Sequence, residues 1–207
     1  MIELQNLKTY LKITDNTQDV FLQECIEYTT EKMTAYCRRD LRYGAKYDVI
    51  SGNFDSVINL KVYPVDMILY IRYRNESTMP PGGGHNQFNV DLFNGEPVAD
   101  NIYLDNENGD VVLLKGIVLP PGVSNVEIKY YAGYTVESQN PLCETPSDLK
   151  SVCLMASAEF YLKSYQGDSR LGIKSRNDEF QDGTSKQRVF FDENYSVILN
   201  RYKEVRI

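Results

Sequence analysis

Hydrophobic residues near the amino terminus recur at three- and four-residue spacing, which is typical of amphipathic helices. Leu4, Leu7 and Leu11 share one face of a short helix, and the turn-forming residues 14–17 end it. A longer helix follows, and its apolar stripe consists of Leu22, Cys25, Ile26, Thr29, Met33, Tyr36 and Cys37. The pattern predicts two packed helices within residues 1–44.

Three arginines, Arg38, Arg39 and Arg42, follow the longer helix. Cations at the carboxyl end of a helix complement its dipole, so capping and solvation explain this cluster. Contact with a neighbouring subunit is the alternative interpretation.

From residue 45 to residue 135 the hydrophobic period changes from about 3.6 to 2, which indicates half-buried strands. The inward positions of three stretches are Ile58, Leu60, Val62, Leu69, Ile71, Tyr73, Val126, Ile128 and Tyr130. The run 105–110 contains Asn108-Gly109, which supplies the positive φ of a tight hairpin. A calcium loop is the alternative, but Asp110 and Gly116 stand where an EF-hand needs glycine and glutamate.

A second helical region begins at Thr145-Pro146-Ser147-Asp148, which places a hydroxyl at the N-cap, proline at the first helical position and an acid in the first turn. The apolar face of this helix is broad and includes Leu149, Val152, Met155, Phe160 and Leu162. Such breadth predicts burial on more than one side, either against the β region or against another copy of the protein.

The last segment, residues 166–207, is polar and rich in glycine, and its 8 basic and 7 acidic residues give a net charge of +1. Its apolar and basic anchors near the end are Val197, Ile198, Leu199, Arg201 and Tyr202. A tail of this composition is expected to become ordered on a partner, or else to pack back on its own domain.

Together the elements predict an α+β fold. The N-terminal helices (1–44) and a C-terminal helix (141–165) form a helical bundle, an antiparallel β domain (45–135) is inserted between them, and an extended tail with a short terminal helix (166–207) completes the chain.

Composition mainly excludes functions. The chain has 207 residues, 42% of them hydrophobic, and a net charge of −7, so it can bury a core but is not a basic protein that coats nucleic acid. The one histidine, His85, lies in a glycine-rich loop that matches no nucleotide-binding motif, and no nucleophile is placed near it. We therefore predict no enzyme activity, no catalytic or metal-binding residues and no cofactor.

The four cysteines show no metal-ligand spacing and are expected to be reduced and structural. No signal peptide and no apolar run long enough to span a membrane is apparent, so we expect a soluble protein made in the cytoplasm and having no membrane partner.

A series of short motifs resembles the head-to-tail connector family of tailed bacteriophages, in a longer form with a β insertion. The motifs, in chain order, are residues 7–13, 35–41, 60–65, 68–73, 126–134 (which include Tyr131-Ala132-Gly133-Tyr134), 145–150, 172–175 and 199–203. Residues 77–118 are not matched, and the segment that follows Ser175 departs from the short glycine- and serine-rich stretch expected there.

The resemblance implies a structural virion protein that forms an adaptor ring of twelve subunits between the portal and the tail and extends the DNA channel. Its implied partners are the portal protein, a stopper or tail protein, further copies of itself, and DNA passing nearby without specific binding. The broad helix face would then contact the next subunit, and the tail would dock on the portal. The implied location is the head–tail junction of the virion, with assembly in the host cytoplasm.

One stretch, residues 86–110, contains six acids and no basic residue: Asp91, Glu96, Asp100, Asp105, Glu107 and Asp110. Repeated around a ring, these acids would repel phosphates in the channel, or else they form a solvated rim. Two alternatives to the adaptor remain open. One is another phage tail-completion or ring protein, and the other is a ligand- or carbohydrate-binding β module, which the 16 tyrosines would suit.

Overall fold

The computed structural model describes residues 1–74, 88, 90–136, 140–165, 191 and 193–203. The described helices are α1 (Leu4–Leu11), α2 (Asp19–Cys37), α3 (Ser147–Tyr165) and α4 (Glu193–Leu199). The described strands are β1 (Gly44–Gly52), β2 (Val57–Asn59), β3 (Val65–Tyr73), β4 (Val90–Asp91), β5 (Ile102–Asp105), β6 (Asp110–Leu113) and β7 (Gly122–Ala132). The α+β class is confirmed.

The chain divides into two compact units. The helical unit consists of Met1–Asp40 and Thr145–Ile207, and the β unit consists of Leu41–Glu144. Several sequence features lie outside the described residues: His85 with its glycine-rich loop, the motif at 172–175, and most of the segment 166–192.

The helical unit has a core between α1, α2 and α3. Its buried members are Leu7, Leu22, Cys25, Ile26, Ala158 and Tyr161. The apolar stripe predicted for α2 is buried except for Tyr36, which is half-buried. Beside this core, buried Lys8 donates hydrogen bonds of 2.7 Å to Asn16 Oδ1 and to Asp19 Oδ1, which fixes α1 against the start of α2. Among the described helices, none is long and apolar enough to cross a membrane.

The β unit contains two antiparallel sheets. A four-stranded sheet has the order β1-β7-β3-β4, and a three-stranded sheet has the order β2-β6-β5. Inward side chains of both sheets and three residues outside the strands (Leu60, Phe93 and Leu119) form one hydrophobic core: Ile58, Leu60, Val65, Ile71, Phe93, Val111, Leu113, Leu119, Val126, Ile128, Tyr130 and Ala132. Since side chains alternate along a strand, the other face of each sheet points away from this shared core.

One inward position was predicted wrongly. The register of β3 against β7 shifts between Ile68 and Tyr70, so Leu69 is an extra residue that has no partner on β7. The bulge breaks the alternation: Ile68 packs against the core and Leu69 is exposed. The inward positions of β7 were predicted correctly, since Val126, Ile128 and Tyr130 are fully buried.

The predicted hairpin is present. β5 pairs with β6 so that Asp105 lies opposite Asp110, and Gly109 in the connecting turn has a φ of 76°. The Asp105 carboxylate accepts hydrogen bonds from the backbone N–H groups of Glu107 and Asn108 and from the Asn108 side chain. The Asp105 carboxylate therefore stabilises the turn.

The start of α3 differs slightly from the prediction. The Lys150 N–H donates to the Pro146 carbonyl over 2.9 Å, and the helix begins at Ser147. The helix therefore begins one residue later than predicted, and Pro146 occupies the N-cap position instead of the first helical position.

Candidate functional site

The candidate functional regions are surfaces, and the first is the apolar face of α3. Leu149 and Val152 are fully buried within the chain itself. Met155 and Phe160 are half-buried, and Phe160 stacks on Tyr28 with ring centroids 4.5 Å apart. Leu162 is exposed. Of the five residues predicted for this face, Leu162 is therefore the most available to a neighbouring subunit.

The second region is the end of the chain, where α4 and the 3-10 turn Asn200–Tyr202 belong to the helical unit. Leu199 is fully buried, and its carbonyl accepts a hydrogen bond of 3.6 Å from Cys37 Sγ. Val197 and Arg201 are exposed, while Ile198 is half-buried. The segment thus combines a buried side with a side that a partner can reach.

Three further hydrogen bonds between described residues hold this segment, and the sequence does not predict them. Buried Arg39 donates from Nε to the Tyr202 carbonyl over 2.7 Å. The Tyr202 hydroxyl donates to Asp148 Oδ1 over 2.6 Å, and the Tyr36 hydroxyl donates to Asn200 Oδ1 over 3.1 Å. The sequence alone predicts that Arg39 is a solvated capping residue. Arg39 is buried instead, and its hydrogen bond to the Tyr202 carbonyl holds the segment in place.

The third region is the set of six acids. Asp105, Glu107 and Asp110 lie at the turn of the β5–β6 hairpin. Glu96 and Asp100 lie near the opposite end of the hairpin, where Glu96 pairs with Lys115 at 3.5 Å in an exposed ion pair. Asp91 is in β4, and its carboxylate accepts from the Phe93 N–H. The six acids therefore form separate groups and not one continuous patch.

A fourth surface was not predicted: the outward side of the four-stranded sheet, which we call the tyrosine face. Its members are Tyr43, Tyr47, Val49, Met67, Leu69, Tyr70, Arg72, Glu127, Lys129 and Tyr131. The register places Tyr47 and Tyr70 on either side of Lys129, and Val49 and Arg72 on either side of Glu127. The alternation along β1 and β7 was the signal that could have revealed it, because the polar-side positions carry aromatic residues.

Contacts within the tyrosine face hold its side chains in place. Arg72 lies over the Tyr70 ring and Lys129 over the Tyr47 ring, at 4.2 and 5.0 Å from the ring centroids. The Tyr70 hydroxyl donates to Glu127 over 2.8 Å. Burial and this hydrogen bond to Glu127 raise the pKa of Tyr70, and the hydrogen bond that Lys129 donates to the Tyr47 hydroxyl raises the pKa of Lys129. Both groups therefore keep their protons at neutral pH.

The edge of this face has a similar arrangement. Tyr43 stacks on Tyr131 with ring centroids 5.9 Å apart, and its hydroxyl donates to Asp66 Oδ2 over 2.6 Å. This hydrogen bond is the main reason that the pKa of Tyr43 is raised to about 12. The hydroxyl therefore acts as a donor.

Beneath the surface, Asp48 and Tyr130 join three parts of the β unit. The Tyr130 hydroxyl donates to Asp48 Oδ2 over 2.8 Å, and the Lys61 N–H donates to the same oxygen over 3.2 Å. The Val62 N–H donates to the Tyr130 oxygen over 3.3 Å. Burial, followed by the charge of Asp48, raises the pKa of Tyr130. This buried pair stabilises the β unit and is not accessible to a ligand.

The cysteines are also internal. Cys25, Cys37, Cys143 and Cys153 are all free thiols and all buried. Burial raises the pKa of Cys25, Cys37 and Cys143 to about 11, and it raises that of Cys153 as well. Thiols of this kind are poor nucleophiles at neutral pH. Within the part of the chain that the structure describes, no three His, Cys, Asp or Glu side chains form a group that could hold a metal ion.

Residues 1–93 match the model of the phage gp6-like head-tail connector protein family. The resemblance to head-tail connectors is confirmed. The match spans both N-terminal helices and the strands up to β4, which include the motifs at 7–13, 35–41, 60–65 and 68–73.

Solved structures extend the similarity along the whole chain. The neck of an empty gene transfer agent (GTA) particle, computed with C6 symmetry, contains a chain with a TM-score of 0.60 at 16% identity, covering 100% of this chain and 91% of that one. The virion of a native GTA particle gives a TM-score of 0.60 at 13% identity, with coverage of 100% and 91%. The neck of a native GTA particle, computed with C12 symmetry, gives a TM-score of 0.55 at 14% identity, covering 100% of this chain and 93% of that one. At these identities the comparison shows a shared fold. No curated protein matches the sequence.

Proposed function

We propose that this protein is a structural virion component that forms an adaptor ring between the portal and the tail and prolongs the DNA channel after packaging. The observation that carries the proposal is the match of residues 1–93 to the head-tail connector family. The fold shared along the full chain with GTA neck and virion chains supports it. A structural connector family also suggests a role without catalysis.

The proposed assembly is a closed ring of twelve copies at the head–tail junction, built in the host cytoplasm. Particle necks computed with C6 and C12 symmetry support a repeated arrangement. A ring needs heterologous contacts, in which one surface of a subunit meets a different surface of the next. Leu162 on α3 is the exposed residue of the predicted inter-subunit helix face, and it is proposed to take part in such a contact.

The end of the chain is proposed to dock on the portal through its exposed side. Val197 and Arg201 can contact a partner while Leu199 stays buried and Tyr202 stays bonded to Asp148. A stopper or tail protein would contact the opposite rim of the ring.

The acids are proposed to face the channel or its rim. Glu96 and Asp100 lie at one end of the β5–β6 hairpin and Glu107 lies at its turn, so repetition would give rings of negative charge that discourage DNA binding. Replacing Glu107 and Asp100 by lysine should make the assembled ring retain labelled duplex DNA at low salt. Unchanged DNA retention would place both residues away from the channel.

Electron microscopy of the purified protein, alone and mixed with the portal protein of the same phage, tests the adaptor role. The expected result is a closed ring seated on the portal. Leu162→Asp should reduce ring formation if α3 contacts the next subunit, and Val123→Asp serves as a matched exposed control in the β unit. A stable monomer that binds sugars and ignores the portal would contradict the adaptor and favour the carbohydrate-binding module.

A further inference from the structure

We propose that the two outward faces of the β unit bind each other between adjacent copies, so that the tyrosine face of one subunit packs on the small sheet of the next. This inference rests on the ring proposed above and names the contact that would close it. The outward side of the three-stranded sheet, here called the hairpin face, consists of Val57, Asn59, Tyr103, Asp105, Asp110, Val112 and Leu114.

The tyrosine face has the properties of a protein interface. Tyr47 is 57% exposed and Met67 is 49% exposed, and Val49 and Leu69 are exposed beside them. Tyrosine, methionine and arginine are enriched in the centres of interfaces. The hydrogen bond from Tyr70 to Glu127 and the cations over the rings hold the side chains before any partner arrives, so less entropy is lost on binding.

The hairpin face offers a complementary surface. Val57, Tyr103 and Leu114 are exposed on it, with Tyr103 62% exposed. The register places Val57 and Tyr103 on either side of Val112, which gives a short apolar row across all three strands. Asp105 and Asp110 lie at the next outward position, where Asn59 donates to Asp110 over 2.7 Å.

The two faces differ in charge at the positions named for them. Arg72 and Lys129 against Glu127 leave the tyrosine face with an excess of one positive charge, whereas the hairpin face carries Asp105 and Asp110 and no cation at its named positions. Packing the tyrosine face on the hairpin face would offer two carboxylates, Asp105 and Asp110, to Arg72 and Lys129, whereas packing it on itself would offer these cations only Glu127.

The position of the two faces fits a ring. Both sheets pack on one core, so their outward faces point away from opposite sides of that core. Two different surfaces on opposite sides of one unit are what a heterologous contact needs in order to repeat from copy to copy. This assignment places Asp105 and Asp110 at the subunit contact and leaves Asp91, Glu96, Asp100 and Glu107 as the acids of the channel or rim.

Cysteine cross-linking of the full chain tests the contact, because the native thiols are buried and new surface thiols will react selectively. Tyr47→Cys and Tyr103→Cys replace exposed side chains on the two faces. The two variants are mixed under conditions in which the wild type forms rings and are treated with a short bismaleimide. The expected product is a cross-linked pair that contains one copy of each variant, identified by mass spectrometry of the joined peptides.

Each control has a defined outcome. Neither variant alone should give cross-linked pairs, and Val20→Cys, an exposed site in the helical unit, should not replace Tyr103→Cys as a partner of Tyr47→Cys. Pairs formed by Tyr47→Cys alone would show that the tyrosine face binds itself. Rings without any cross-link would overturn the face pairing but leave the adaptor ring standing. If the wild type forms no rings with or without the portal, the proposed function and this contact both fail.

Discussion

Replacing Leu199 by alanine should release the end of the chain from the helical unit. Leu199 is fully buried in a seven-residue helix that has little stability of its own, so its side chain supplies much of the packing that holds the segment. Truncating a buried leucine costs about 2–5 kcal/mol. Since about 1.4 kcal/mol is a factor of ten, the open form should become roughly 30-fold to several thousand-fold more populated.

The thiol of Cys37 reports this opening locally. It is buried and donates a hydrogen bond to the Leu199 carbonyl, so it becomes accessible when the segment leaves. The assay is alkylation of the native protein at pH 8, followed by peptide mass spectrometry that compares Cys37 with Cys143 in the β unit. Leu199→Ala should accelerate the labelling of Cys37 and leave that of Cys143 unchanged.

Val197→Ala is the matched control, because Val197 lies in the same helix and is 62% exposed. Surface substitutions usually change stability by less than about 0.5 kcal/mol, so labelling should change by roughly twofold or less. Equal labelling of Cys37 in Leu199→Ala and in the wild type would refute the packing argument. Equal acceleration at Cys37 and Cys143 would mean that the variant unfolds as a whole.

Three further predictions follow from the buried groups. Tyr130→Phe leaves the buried Asp48 without its hydroxyl donor and should lower the free energy of unfolding by about 1–3 kcal/mol at pH 8. Because folding raises the pKa of Tyr130, its contribution to the free energy of unfolding is complete below the ordinary tyrosine pKa of about 10. Above that pH the contribution falls by about 1.4 kcal/mol per pH unit. Urea unfolding at pH 11 should therefore show a smaller difference between variant and wild type than at pH 8. Gly133→Ala should prevent the β unit from folding normally, because Gly133 has a φ of 103° and a Cβ there would lie 2.4 Å from the Arg42 carbonyl oxygen. Circular dichroism and proteolysis of the variant check this prediction. A spectrum and a protease resistance like those of the wild type would contradict it. A thiol reagent at pH 8 should find almost no reactive cysteine in the native protein and all four after denaturation, and rapid reaction of the native protein would contradict the burial of the thiols.

Local patterns predicted the elements whose burial follows a simple period. The stripe of α2 is determined by residue spacing, and so are the inward positions of β7, since each face of these elements meets one core. The proline and hydroxyl at the start of α3 gave its beginning to within a residue, because cap chemistry depends on neighbours in the sequence. The Asn-Gly pair gave the hairpin for the same reason.

Features that depend on distant residues could not be predicted. The bulge at Leu69 is a property of the pairing of β3 with β7, so the sequence of β3 alone shows unbroken alternation. The bond between Arg39 and the Tyr202 carbonyl joins residues far apart in the chain, and the arginine looked like an ordinary basic residue at a helix end. The tyrosine face was overlooked because it arises from three strands whose order is not the order of the chain.

The packing of residues 193–203 constrains the proposed docking on a portal. A partner that contacted Leu199 would first have to displace it from the helical unit and break the bonds that Tyr202 makes with Arg39 and Asp148, each of which is charge-assisted. That cost reduces the favourable free energy of binding, so docking through the buried side requires a partner that offers an equally apolar groove. Docking through Val197 and Arg201 carries no such cost, because both side chains are exposed while the segment is in place. Substitution at Val197 and Arg201 should therefore weaken portal binding without releasing the segment from the helical unit. Substitution at Leu199 should release the segment in either case. It should also weaken portal binding if the segment moves to the portal, but not if the segment stays in place.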